Sequence, residues 1–185
     1  MRETIKVGGE SVAITPAERG RLERGEVVLT PLSPSDGTGV AARALALVEA
    51  PPEKVWPVVR DAEHFKEFMP RTKSSYLVTE KPEGKIYALE IEMPFPIKNL
   101  VSQVLSVLEE GDDIWSRRWE LVEGTYTRNN GEWVVATWEP GRSLLAYWVD
   151  ASPKVMIPGA LLRKAQTNSL PDVFERVRRR VRLQA

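Results

Sequence analysis

The sequence predicts an α+β fold, an antiparallel sheet covered on one face by a long C-terminal helix. Three observations predict it. Strand-like runs follow one another from residue 72 to residue 151 with no helical pattern between them. Helical signals gather on either side of that block. The final apolar pattern (Leu161, Leu162, Ala165, Val173, Val177, Val181) recurs at helical spacing and supplies a stripe to lay on a sheet. Strands in one block with helices at its ends mark segregated layers rather than alternating βαβ units.

The elements follow in order. Thr15-Pro16-Ala17-Glu18 places Thr at an N-cap, Pro at the first helical position and Glu at the third, which predicts a helix from Pro16 to Arg24, stopped at Gly25. Val27-Val28-Leu29 is read as a short strand, and residues 31–39, rich in Pro, Ser and Gly, as a linker. Val40 to Glu49 alternates as a strand. Pro51-Pro52 opens a helix over Glu53 to Val59, with a kink expected at Pro57 because proline lacks the backbone donor. Asp61 is expected to cap a second short helix ending at Met69-Pro70. Six runs then read as strands: Thr72–Lys81, Lys85–Met93, Leu100–Glu109, Ile114–Glu123, Glu132–Glu139 and Ser143–Ala151. Turns are expected between them, among them Asn129-Asn130-Gly131 and Pro140-Gly141. A helix from about Gly159 to Leu183 closes the chain, restarted or kinked at Pro171 with Ser169 as cap.

Composition narrows the chemistry. A chain of 185 residues suits one domain with a sizeable core. Lys plus Arg and Asp plus Glu both number 26, so no overall field draws the protein to nucleic acid or an acidic membrane. With no cysteine there is no disulfide, thiol nucleophile or Cys-ligated metal, and His64 alone cannot make a histidine metal cluster. No apolar run reaches the roughly 18 residues of a membrane span, and Met1 to Gly9 shows no apolar signal core, so a cytoplasmic location is expected. No cofactor and no metal is implied.

Several landmarks carry a family resemblance: Ala50-Pro51-Pro52-Glu53-Lys54-Val55-Trp56, Asp61, Phe65-Lys66-Glu67-Phe68-Met69-Pro70, Met93-Pro94-Phe95-Pro96-Ile97-Lys98-Asn99, Gly131-Glu132-Trp133 and Ile157-Pro158-Gly159-Ala160-Leu161. With the element order, they resemble the START/Bet v 1-like (SRPBCC) helix-grip superfamily, in its polyketide cyclase and coenzyme Q-binding branch. The resemblance spans Val40 to about Val181. It implies a curved seven-stranded sheet gripping the last helix, with an apolar cavity between them. It also divides the chain into an N-terminal helix–strand extension, residues 1–39, and a helix-grip ligand-binding domain, residues 40–185.

Alternation along the strands selects the candidate cavity wall. Arg118 and Glu120 set the outer face of their strand, so Trp115, Arg117, Trp119 and Leu121 face inward. Glu90 and Glu92 do the same for Tyr87, Leu89, Ile91 and Met93. A three-residue loop at Pro140-Gly141-Arg142 pairs Thr137 with Leu145, Val135 with Tyr147 and Trp133 with Val149, all inward. Ala42, Ala44 and Ala46 form a small-residue inner row, which either leaves room for a ligand or lets the long helix approach closely. Tyr76, Tyr87 and Tyr147 either orient a ligand oxygen or pack as core, and each tryptophan has the same two readings. Arg117 must meet a ligand, an internal carboxylate or, through a bulge, solvent, because a lone buried charge is costly. Leu162 and Ala165 are the helix's contribution to the wall. His64 is read as an exposed helical residue in preference to a catalytic one, and the arginines 176, 178, 179, 180 and 182 as a solvated helix end in preference to a contact for anionic lipid or nucleic acid.

The function these features point to is binding of a hydrophobic small molecule, such as a quinone, polyketide or lipid, for transport or sequestration. A polyketide cyclase or dehydratase using the same cavity, and a ribosome-associating module, are the alternatives. No catalytic residue is assigned, no nucleic-acid partner is expected, and the state is monomer or homodimer. On the other sheet face Leu45, Leu47, Val134, Ala136, Trp138, Leu144, Ala146 and Trp148 are uncharged. Something must cover them, either the N-terminal segment through Leu22, Val27, Val28 and Leu29 or a second copy of the chain.

Overall fold

In a computed structural model of the protein, residues 2–164 and 169–184 are described, without the side chains of Leu162 and Arg163. The chain opens with strands β1 (Thr4–Val7) and β2 (Glu10–Ala13), helix α1 (Pro16–Glu23) and strand β3 (Val28–Leu32). Strand β4 (Val40–Val48), helix α2 (Pro52–Arg60) and a 3-10 turn at Ala62–Glu67 follow. Six strands come next: β5 (Thr72–Lys81), β6 (Gly84–Ile91), β7 (Leu100–Glu110), β8 (Ile114–Gly124), β9 (Tyr126–Glu139) and β10 (Arg142–Pro153). Helices α3 (Gly159–Lys164) and α4 (Leu170–Leu183) complete the order. Among the described residues no helix is long and apolar enough to cross a membrane.

The main sheet runs β3-β4-β10-β9-β8-β7-β6-β5, every neighbouring pair antiparallel. Strands β4 to β10 are the expected seven, and β3 from the N-terminal extension adds an eighth. Helix α4 lies on the inner face because Phe174, Val177 and Val181, at i, i+3 and i+7, form one apolar stripe. They pack with Ala44, Ala46, Val55, Val59, Trp133 and Leu145 in one core. Each buried valine, leucine or phenylalanine among them contributes about 1.5–3 kcal/mol of burial as an upper estimate.

The outer face of β4, β10 and β9 carries a second core, covered by the N-terminal segment. Ile5, Val7, Val12, Ile14, Leu22 and Val28 pack on Leu45, Leu47, Val134, Ala136, Trp138, Leu144 and Ala146. Most of that cover is the β1–β2 hairpin, a Gly8-Gly9 turn between short alternating runs. Gly8 is required by contact as well as by its φ of 64°: a Cβ there would stand 2.7 Å from the Trp148 ring. Its amide donates to Glu132 at 2.6 Å, and Arg118 pairs the same carboxylate at 3.2 Å. Val27 and Leu29, expected in this cover, pack instead against the inner core.

Other expectations change in detail. The β9–β10 connection is a two-residue turn at Pro140-Gly141 with an irregularity at Arg142/Ser143, so Leu145 opposes Val135 and Tyr147 opposes Trp133. The pairing is displaced by two residues, and an even shift keeps every side chain on its expected face. Residues 129–131 form no turn, being internal to β9. Pro31 belongs to β3, and the following segment is held where Arg128 pairs with Asp36 at 2.5 Å and Asp150 at 2.8 Å. Asp61 makes no capping hydrogen bond, because its carboxylate accepts from the Tyr87 hydroxyl and from Arg60.

Candidate functional site

Between the inner sheet face and α4 lies a cavity in two adjoining chambers. The inner one, about 250 Å³, is walled by Phe65 and Met69 from the 3-10 turn and its exit, Leu89 and Ile91 from β6, and Val104 from β7. Arg117, Trp119, Tyr126, Asn129, Trp133, Tyr147 and Val149 come from β8, β9 and β10, and Val173 from α4. The outer one, about 410 Å³, is bounded by Val40, Met93, Pro94, Leu100, Ile157 and Leu161, with Arg71, Lys164 and Asp172 also on its wall. Pro70, Ile91, Tyr126, Ala151 and Val173 belong to both, so the chambers share a boundary. This size suits a small organic molecule.

The aromatic wall is built by register. Tyr147 opposes Trp133 across β10 and β9, with ring centroids 4.5 Å apart, and the Trp119 ring lies 5.8 Å from Tyr147. Trp133 also meets Phe174 of α4 at 5.7 Å. Trp119 directly opposes Gly131 on β9.

Arg117 is the one charged side chain on the inner chamber wall among the described residues, and it is 2% exposed. The Arg118/Glu120 alternation holds, and no bulge turns Arg117 outward. Its Nε donates to Ser106 Oγ at 2.6 Å and its Nη1 reaches the Val59 carbonyl at 3.5 Å. The guanidinium carbon lies 5.2 Å from the Phe65 ring, 5.4 Å from Trp119 and 5.7 Å from Tyr87. These faces stabilise the cation without accepting its in-plane N–H groups. No carboxylate among the described residues forms an ion pair with it. Burial lowers its pKa to about 10, which leaves it charged at neutral pH. Behind it, the Tyr87 hydroxyl donates to Asp61 at 3.0 Å. Burial, and then the Asp61 charge, raise the Tyr87 pKa.

Two further phenols face the chamber. Burial pushes Tyr126 up to about 12, and burial together with neighbouring Tyr126 raises Tyr147. Among the described residues neither hydroxyl has a hydrogen-bond partner. Both stay neutral, and so remain donors, well above physiological pH. Asn129 Oδ1 accepts from Trp119 Nε1 at 3.3 Å, and Asn129 Nδ2 donates to Ser102 at 3.4 Å.

Of the residues proposed from sequence, Leu89, Ile91, Arg117, Trp119, Trp133 and Tyr147 line the inner chamber, and Ile91 and Met93 the outer. Ala44, Ala46 and Val135 do not. They are fully buried beneath the helices, so the small-residue row serves close helix approach. Trp115 packs on Trp56 at 6.2 Å, away from the cavity, and Tyr76 is 54% exposed on β5. Tyr87 stands behind Arg117 rather than on the wall. The Leu162 side chain and Ala165 lie outside the described residues. Sequence reasoning missed Tyr126 and Asn129. A register shift between Ser152 and Pro153, opposite residues 126–128, changes the parity of β9 and brings Tyr126 to the same side as Asn129.

Comparisons with known proteins agree with this architecture. A fragment of the STAR-related lipid transfer protein from Xanthomonas axonopodis superposes with a TM-score of 0.72 at 20% identity, over 84% of this chain and 93% of that one. A START superfamily protein from Mycobacterium smegmatis gives 0.65 at 18% identity, over 78% and 99%. The Zhui aromatase/cyclase from a Streptomyces species gives 0.60 at 18% identity, over 78% and 94%. At these identities the likeness is one of fold. A search of curated proteins finds no match. The family profile described as polyketide cyclase / dehydrase and lipid transport matches residues 48–178, more than half of the sequence. The chain therefore belongs to that family, within the START/Bet v 1-like helix-grip superfamily.

Proposed function

We propose that the protein binds a hydrophobic small molecule, of the lipid, quinone or polyketide kind, in the cavity between its sheet and α4. The observation that carries this reading is a two-chambered space, largely apolar, that the packed side chains leave beside a tightly filled core. Two similar folds are described as lipid transfer or START proteins, which supports the same class of ligand.

A cyclase or dehydratase activity is the second reading, favoured by Arg117 and two neutral phenols around one chamber, donors able to stabilise an enolate. That chemistry also needs a base. Among the described residues the inner chamber wall carries no carboxylate and no imidazole, and the Asp61 carboxylate lies behind Tyr87. An inner wall without a carboxylate or imidazole among the described residues suits holding a ligand better than moving its protons.

The test is titration with the neutral fluorophore N-phenyl-1-naphthylamine. Saturable binding with quenching of Trp119 and Trp133, lost in a folded Ile91→Trp variant, is the expected result. Binding unchanged by Ile91→Trp overturns it.

A further inference from the structure

We propose that the ligand is an amphiphile with a single anionic oxygen head, a carboxylate or its equivalent. The head lies against Arg117 in the inner chamber and the apolar body passes Ile91 into the outer one. This rests on the cavity being a ligand site, and it adds the ligand's class and direction.

Arg117 is buried and charged, yet it has no directly paired carboxylate among the described residues, and the Asp61 charge acts on it only from behind Tyr87. Arg128 and Arg142, also largely buried, each have acidic partners. A guanidinium has five N–H donors. Ser106 takes one and Val59 takes one weakly, so the others have no acceptor among the described groups. Such donors are satisfied best by a bidentate oxyanion. The surroundings lean the same way. Among the described residues the Tyr126 and Tyr147 hydroxyls have no hydrogen-bond partner and can donate from the same wall, and the Asn129 carbonyl oxygen accepts from Trp119. The inner chamber therefore presents a buried cation and neutral hydroxyls, with no carboxylate among the described residues, and the like charge of Arg117 disfavours an ammonium head.

Charge count selects a monoanion. One cation neutralises one negative charge, and a dianion would leave an excess charge buried. Direction follows from the outer wall, where Val40, Met93, Leu100, Ile157, Leu161 and Val173 provide the apolar path for the tail.

The experiment displaces N-phenyl-1-naphthylamine from the full-length protein with dodecanoate or 1-dodecanol, both below their self-association range. Dodecanoate is expected to compete at least about tenfold more tightly than the alcohol, as one charge-assisted pairing supplies. Arg117→Met is expected to bring the acid-to-alcohol affinity ratio close to one, and Arg117→Lys to keep part of the preference. Equal competition by acid and alcohol overturns the proposal and leaves the cavity reading standing. Competition by neither removes the cavity reading and the proposal with it. A preference that survives Arg117→Met, or disappears in about 0.5 M salt, assigns the acid to surface arginines and also overturns it. If Arg117→Met does not fold, the acid-to-alcohol ratio and salt response of the native protein decide alone.

Discussion

The Trp119 indole lies against Gly131 so closely that a Cβ at that glycine would stand 2.0 Å from the ring. The two residues oppose each other across β8 and β9, and the missing side chain is what lets Trp119 lie flat on the chamber wall. Gly131→Ala is expected to lower stability by about 1–3 kcal/mol in urea unfolding, as overpacking does. It should also weaken fluorophore binding by tilting the indole. A variant of unchanged stability and unchanged tryptophan emission would contradict this packing.

Ala46 and Ile91 should respond oppositely to enlargement. Ala46 is fully enclosed in the α4 core, so Ala46→Phe is expected to cost about 1–3 kcal/mol or more. Ile91 borders open space on both chambers, so Ile91→Trp should cost little and block binding. Paired denaturation and titration curves measure both. A stable Ala46→Phe protein that no longer binds the fluorophore would return the alanine row to the cavity wall.

Asp61 makes part of the stability depend on acid. Burial raises its carboxyl pKa, but the hydrogen bonds from Tyr87 and Arg60 outweigh that and hold it below the ordinary aspartate value. Its contribution is therefore present above the unfolded pKa of about 3.9 and is lost as pH falls through the lower folded value. Tyr87→Phe should cost about 1 kcal/mol near neutrality, with the gap to native protein closing under strong acid. A gap independent of pH would show that the Tyr87–Asp61 bond is not its source.

The N-terminal hairpin shields an apolar sheet face. Removing residues 2–14 would uncover Leu45, Leu47, Val134 and Trp138, now packed beneath Ile5, Val7 and Val12. Self-association on analytical ultracentrifugation, with a lower unfolding midpoint, is expected. A monomer of native stability would show that the cover is dispensable.

Much of this fold was readable because side-chain parity survives errors of pairing. The β9–β10 register shifted by two residues, yet Trp133, Val135, Leu145 and Tyr147 kept their expected face. Asn129-Asn130-Gly131 has turn composition, but its glycine is there for the Trp119 ring, a long-range contact that local signals do not carry. The β1–β2 hairpin went unread, because the alternating runs on either side of Gly8-Gly9 are only four residues each, too short to stand out as strands. Within the cavity, Arg117 followed from alternation, whereas Tyr126 depended on an irregularity in β9. Small inner residues such as Ala44 and Ala46 make room equally well for a ligand or a helix, and here α4 takes the room.

Methyl-resolved NMR during titration with 1-dodecanol tests the central claim most directly, because the neutral ligand isolates the cavity from the question of its head group. Saturable shifts are predicted at Leu89, Ile91, Val104 and Val173, with ligand contacts to Trp133 and with Ala44 and Ala46 little changed. Shifts confined to exposed side chains such as Met156 and Leu183, or no saturable shift at all, would contradict a binding cavity between the sheet and α4.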